Sequence, residues 1–193
     1  LGLANICILG ANYAFTFSAP AILKAGVHLS ATQVGYLVAG GGLLGAIAML
    51  LNGWLSDRRG ERHLHTVVPL MVLAASFIVI GLGGSPWAIA AAYLVGMFCG
   101  PAVQAVIWSI PGDILHGRSA GVGVAAIGSL GMVGSFIGPI AWGVARDATG
   151  SFQAGLLFLA APLGLAAGLL LLLRHRSRAV AAPKLGLGVV PAE

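Results

Sequence analysis

The chain has very little charge. Only 8% of its 193 residues are Asp, Glu, Lys or Arg, and the acids number five. A soluble domain carries about a quarter of its residues as charges, so a surface wetted on all sides is excluded. Cysteine is scarce too. Cys7 and Cys99 both sit in apolar stretches, which excludes a disulfide framework and a cysteine metal site and leaves two small core residues. The sequence has no H-E-x-x-H, no acid pair inside an apolar run and no nucleophile–base pair, so no intramembrane enzyme, metal or cofactor is expected. The basic start and cleavage site of a signal peptide are missing, as is the ten-residue alternation of a membrane barrel.

Apolar residues are abundant. They make up 59% of the chain, and the mean hydropathy is +0.99. They form six uncharged or nearly uncharged runs, at about 1–23, 31–55, 64–83, 86–110, 119–145 and 152–173. Each run reaches the roughly 20 residues that a helix needs to cross a bilayer. The expected fold is therefore an all-α membrane protein of six transmembrane helices, with lipid as its first partner. The segment 174–193, "RHRSRAVAAPKLGLGVVPAE", is basic and then small and Pro-containing. It reads as a disordered cytoplasmic tail whose arginines meet anionic headgroups. The chain opens on Leu1 and not on Met, which reads as a fragment.

The basic residues fix an orientation. Six spans put both chain ends on one side, together with the breaks after runs two and four. That side holds Arg58, Arg59, Arg62, Arg118, Arg174, Arg176, Arg178 and Lys184; the other holds only Lys24 and Arg146. Basic residues accumulate in cytoplasmic loops, so both termini are expected in the cytoplasm, in the cell membrane of a bacterium. This topology also accounts for the net charge of +5, and no nucleic-acid partner is needed to explain it.

Two span ends echo each other. Run two closes on Gly53-Trp54-Leu55-Ser56-Asp57-Arg58-Arg59-Gly60 and run five on Gly143-Val144-Ala145-Arg146-Asp147-Ala148-Thr149-Gly150. Both read G-x-x-x-D-x-x-G, and each closes the middle helix of a triplet, on opposite sides of the membrane. This is the pattern of an inverted repeat of three helices plus three. The glycine lets a neighbouring backbone approach, and the Asp can meet a helix N-terminus or a nearby Arg. The set Gly53, Asp57, Arg58, Gly60 and Arg62 thus reads as a conformational latch, or more simply as a charged loop that sets topology.

At these residues the chain resembles the major facilitator superfamily, whose signature loop runs roughly G-x-L-x-D-R-x-G-R-(K/R). Gly53, Leu55, Asp57, Arg58, Gly60 and Arg62 match it, and Glu61 falls where the family often has a basic residue. "YAFTFSAPAILKAGVHLSATQVGYL" and "AAIGSLGMVGSFIGPIAWGVARDATGSF" resemble the start of the C-terminal half and the eleventh helix in the anion:cation symporter branch. The resemblance implies that the six helices are one half of a twelve-helix transporter, helices seven to twelve. A further N-terminal six-helix half would then carry most of the proton-titrating acids and the substrate-gripping arginines.

The chain's own acids agree with that division: of Asp57, Glu61, Asp113, Asp147 and Glu193, none lies deep in a span. The five histidines likewise fall in breaks or at ends and read as wet surface groups. Inside the spans, uncharged polar residues are the candidates. An amide in hydrocarbon is unfavourable without a partner, so Asn12 and Gln104 are expected to face protein or a water-filled cavity. Gln104 and Trp108 share a helix face at i, i+4. The candidate substrate-side residues are Asn12, Tyr13, Gln104 and Trp108, as hydrogen-bond donors and an aromatic wall for a small organic anion; interhelical glue is the plainer reading. The branch resembled would place Asn near Gly128 and Met132, where this chain has no amide, and Ser129 is the nearest substitute.

The leading expectation is half of a proton-coupled importer of a small organic anion (a sugar acid, a hydroxy-diacid or an aromatic acid) working by alternating access. Alternatives are a drug or sugar carrier of the same superfamily, or a self-contained six-helix channel or assembly protein.

Overall fold

In a computed structural model, the structure describes residues 1–114 and 118–181. The described residues form seven helices and no strand: α1 (Gly2–Val27), α2 (Ala31–Arg59), α3 (Arg62–Leu82), α4 (Pro86–Ile107), α5 (Ile110–Ile114), α6 (Arg118–Thr149) and α7 (Phe152–Ala181). They make six spans long and apolar enough to cross a membrane, with α4 and α5 contributing to one.

The helix ends are written in the local sequence. Ser30 and Gln33 form a capping box at the start of α2, with Gln33 N donating to Ser30 Oγ at 3.3 Å and Ser30 N to Gln33 Oε1 at 2.9 Å. Ser85 caps α4 ahead of Pro86, which suits a position with no N–H to satisfy. Glu61 caps α3, accepting from Leu64 N at 3.3 Å. Gly60 (φ 62°) and Gly150 (φ 67°) stop α2 and α6 in the left-handed region, which glycine enters without a Cβ penalty. These are the closing glycines of the two G-x-x-x-D-x-x-G segments, so half of that echo is a pair of helix stops.

Some boundaries differ from those expected of the apolar runs. The fourth run breaks after Ile107 instead of continuing to 110. Pro111 has no N–H to give the Ile107 carbonyl, and its ring crowds that oxygen; Ser109 N turns back to Val106 O at 3.0 Å. Helices α2, α6 and α7 outlast their apolar runs, reaching Arg59, Thr149 and Ala181. An uncharged run ends where lipid ends, whereas a helix can continue through arginines, which favour its C-terminus. The basic segment 174–181 is accordingly helical. The rest of the expected tail, with Lys184 and Glu193, lies outside the described residues, as does His116.

Packing repeats itself across the chain. Helix α1 packs most extensively on α6, α2 on α4, and α3 on both α4 and α7. Exchanging the triplet α1, α2, α3 for α4, α6, α7 turns the α1–α6 contact into α4–α2 and the α3–α4 contact into α7–α1, and returns α3–α7 to itself. Short connections make successive helices antiparallel, so a triplet of three enters inverted. The core lies at the α1–α3–α4 junction. Phe15 stacks at 4.8 Å on Phe77 and at 5.5 Å on Tyr93, and a Cβ on Gly96 would come within 2.9 Å of the Phe15 ring. Helices α2 and α6 bury the least and leave broad apolar faces exposed.

Ion pairs gather the ends. Arg62 Nε lies 2.9 Å from Asp113 Oδ2, and Arg174 Nε 3.2 Å from Glu61 Oε1. The α2–α3 turn, α5 and the end of α7 therefore share one end, along with Arg58 and Arg59. Lys24 and Arg146 sit at the other, where a cavity of about 200 Å³ joins Gly26, Ile80, Ile89, Gly150 and Phe152. Glu61 and Arg174 are only 25% and 24% exposed, and both guanidinium contacts are made. Replacing Arg174 by Met is expected to cost about 1 kcal/mol of stability, read as a loss of roughly 2–4 °C in melting temperature of the solubilised protein. An unchanged melting temperature would show the pair to be idle.

Candidate functional site

The site is built on one stripe of α4. Gly100, Gln104 and Trp108 follow each other at i, i+4, i+8 and share a face. The amide of Asn12, from α1, rests on Gly100: a Cβ there would lie 3.0 Å from Asn12 Oδ1 and 3.1 Å from Nδ2. The missing side chain on α4 is what admits the amide.

One turn on, Trp108 Nε1 donates to Gln104 Oε1 at 3.1 Å. An indole N–H can only donate, so the oxygen of the amide must face it. This fixes the orientation of Gln104 and leaves Nε2, which is buried and has no hydrogen-bond partner among the described residues. Buried amides are almost always paired, and Gln104 Nε2 shares this unpaired state with Asn5 Oδ1, Tyr93 Oη and Trp142 Nε1 among the described residues.

Trp108 stands at the helix break, 38% exposed. Its ring overlies Gly128 of α6, where a Cβ would be 3.6 Å from Cη2. Where the resemblance implies an Asn, a glycine leaves space that the indole fills. Ser129 is exposed beside it. Tyr13 is 40% exposed and pairs at 6.0 Å with Phe17. Asn12, Gln104 and Trp108 thus lie along one stripe, and Tyr13 and Ser129 are exposed residues adjacent in the chain to Asn12 and Gly128.

The latch residues have separate partners. Arg62 bridges two acids, its second contact being Nη2 to Asp57 Oδ1 at 3.8 Å. Arg58 instead lies 5.2 Å over the Trp54 ring. A Cβ on Gly53 would meet only the Ala105 methyl, at 4.0 Å, and one on Gly143 nothing, so neither opening glycine is needed by a neighbour among the described residues. At the opposite copy, Arg146 pairs with Asp147 at 2.7 Å and lies 5.7 Å over Trp142 and 5.4 Å over Phe152.

Two asparagines stand out that the apolar pattern does not single out as site residues. Asn5 Nδ2 donates to Ile127 O at 3.1 Å. Asn52 Nδ2 donates to His65 O at 2.8 Å and Ala102 O at 2.7 Å, and its Oδ1 lies 3.1 Å from His65 Nδ1. His65 is therefore no wet surface residue but part of a junction of three helices. A signal for it exists in the sequence: Pro69, four residues on, cannot bond the His65 carbonyl, so another donor must.

The family model described as Major Facilitator Superfamily matches residues 1–192. The chain belongs to the major facilitator superfamily. Its six spans correspond to one half of the superfamily's twelve-helix fold. A protein named "Putative tartrate transporter" from Agrobacterium vitis is 36% identical over 168 residues, 86% of this chain and 36% of that protein. A second protein of the same name and organism is 35% identical over 185 residues, 94% of this chain and 40% of its own length. The "Quinolone resistance transporter" of Acinetobacter baumannii is 33% identical over 147 residues, 76% of this chain and 34% of that protein. The chain thus spans 36–40% of the length of the tartrate-named relatives. Within the superfamily fold, the Gln104 stripe belongs to the first helix of the second triplet and Asn12 to the first helix of the first.

Proposed function

We propose that this chain is the C-terminal lobe of a secondary transporter that takes up a small organic anion, coupled to protons, by alternating access. The observation that carries the substrate class is the Gln104 amide, whose oxygen is held by Trp108 while its buried N–H groups have no acceptor among the described residues. Two N–H donors at membrane depth suit a carboxylate or hydroxyl oxygen, and such bonds strengthen where water is excluded. The tartrate-named relatives supply a matching chemistry, a diacid bearing hydroxyls. Asp57, Glu61, Asp113 and Asp147 all lie at span ends, and an ionisable group at mid-membrane is the usual proton carrier. The coupling acid in this reading therefore belongs to a partner six-helix lobe, which would cover the exposed faces of α2 and α6. The basic end, with Arg58, Arg59 and Arg62, faces the cytoplasm by the positive-inside rule.

The intact transporter in proteoliposomes is expected to accumulate labelled tartrate when the outside is acidic, and to lose that accumulation when the gradient is collapsed. Uptake of tartrate that ignores the proton gradient would sink the coupling. The quinolone-resistance relative supports a second reading, a drug carrier; drug-driven stimulation with no response to organic acids would favour it.

A further inference from the structure

The two interfaces exchanged by the internal repeat are built alike. On one side, α6 approaches α1 so closely that a Cβ on Gly134 or Gly138 would run into the backbone of Ile6 or Gly10. On the other, a Cβ on Gly45 of α2 would lie 2.8 Å from Met97 O and from Pro101 Cγ of α4. A glycine face gives tight packing and no directional bond, so by itself it does not fix how far one helix has slid along the other.

Each face carries one asparagine that does. Asn5 reaches the Ile127 carbonyl across α1–α6, and Asn52 the Ala102 carbonyl across α2–α4. Asn52 is fully used: both amide hydrogens have carbonyl acceptors, which places Oδ1 toward His65 Nδ1 and requires that nitrogen to carry the hydrogen. Both asparagines lie toward the basic end, Asn5 in the first turns of α1 and Asn52 near the end of α2. Toward the other end α2 and α4 part around an apolar cavity of about 530 Å³ between Leu37, Tyr36 and Trp87. The carbonyls they hold are next to the site: Ala102 is two residues from Gln104, and Ile127 adjoins Gly128, which bears the Trp108 ring.

We infer that Asn5 and Asn52 are positioning residues for transport, two amide pegs that set the register of the glycine-faced helices and so hold Gln104 and Trp108 in place. This rests on the cavity role proposed for Gln104, but the register can be read without substrate. A Cβ on Gly53 would lie 4.0 Å from that of Ala105, within the span of a disulfide. In the intact transporter with Cys7 and Cys99 replaced by Ala, the Gly53→Cys, Ala105→Cys pair is expected to cross-link readily under mild oxidation. Adding Asn52→Ala should slow it about tenfold and raise the uptake KM. The rise should vanish in a Gln104→Ala background, as coupled residues require. Asn52→Asp, nearly the same size but unable to donate to a carbonyl, should act like Asn52→Ala and serves if the alanine variant fails to accumulate. Asn5→Ala should likewise raise KM. Cross-linking that Asn52→Ala and Asn52→Asp leave unchanged would overturn the proposal. Slowed cross-linking with fully additive KM effects would overturn the positioning of Gln104 by Asn52, whereas slowed cross-linking with a KM unmoved by Gln104→Ala would uphold the register role and instead defeat the cavity role of Gln104.

Discussion

On the proposed reading, Gln104→Ala in the intact transporter is expected to raise the KM for an organic anion by about 10- to 100-fold, the range of 1.5–3 kcal/mol for a hydrogen bond to a charged partner. The expression level should hold, because the side chain leaves only Trp108 Nε1 without its acceptor and that residue is partly wet. Gln104→Glu is the sharper comparison. A carboxylate would still accept from Trp108 Nε1, so the wall stays in place, but the face now holding Nε2 would present an oxygen to an anionic substrate. Uptake should fall at least as far as in the alanine variant. If the Gln104→Glu variant transports as well as the parent, the amide faces no anion. If alanine is silent as well, the stripe is packing and the substrate lies elsewhere.

Much of the fold is legible in the sequence because lipid is a simple solvent. An uncharged run of about 20 residues can only be a spanning helix or a buried one, and six such runs joined by short breaks leave little choice of architecture. Ser30, Ser85, Gly60 and Gly150 then mark starts and stops by local chemistry alone. The break at Trp108 is harder to place, because Pro111 acts four residues ahead of itself and an apolar run shows no gap there. The α7 extension escapes the pattern of runs for the reverse reason: charge ends the membrane, not the helix.

The site is legible in kind more than in arrangement. Polarity in an apolar span picks out Asn12 and Gln104, and i, i+4 spacing joins Gln104 to Trp108. What spacing does not supply is which partner each amide meets. Asn12 rests on Gly100 and Asn5 on Ile127, both far away in sequence, and only packing sets these pairs. Asn52 is inconspicuous because it sits at a charged span end, where an amide draws no notice; its role depends on a carbonyl left open by Pro69 in the next helix. The latch motif shows the same limit. Its closing glycines act within their own helices and can be read locally. Gly53 and Gly143 find no backbone neighbour among the described residues, so their use, on the proposed reading, belongs to contacts with the second lobe.

Gly138→Leu is expected to prevent stable insertion of the bundle, with a loss of about 3 kcal/mol or more, while Gly143→Ala, five residues along the same helix, should be neutral or slightly stabilising. The contrast follows from what each glycine touches. At 138 the first added carbon already meets the Gly10 backbone, and backbone, unlike a side-chain tip, cannot swing aside. The two helices would have to part along their most extensive contact and would pull Asn5 from the Ile127 carbonyl. At 143 a Cβ meets nothing, and alanine gains up to about 1 kcal/mol of helix propensity over glycine. Measuring the folded fraction of both variants in mild detergent separates the cases. Should Gly138→Leu fold like the parent, α1 and α6 do not pack backbone to backbone, and the register argument for Asn5 goes with them. Should Gly143→Ala fold normally yet abolish uptake, the opening glycine of the motif would be needed by a surface outside this chain, which is where the proposed second lobe would dock.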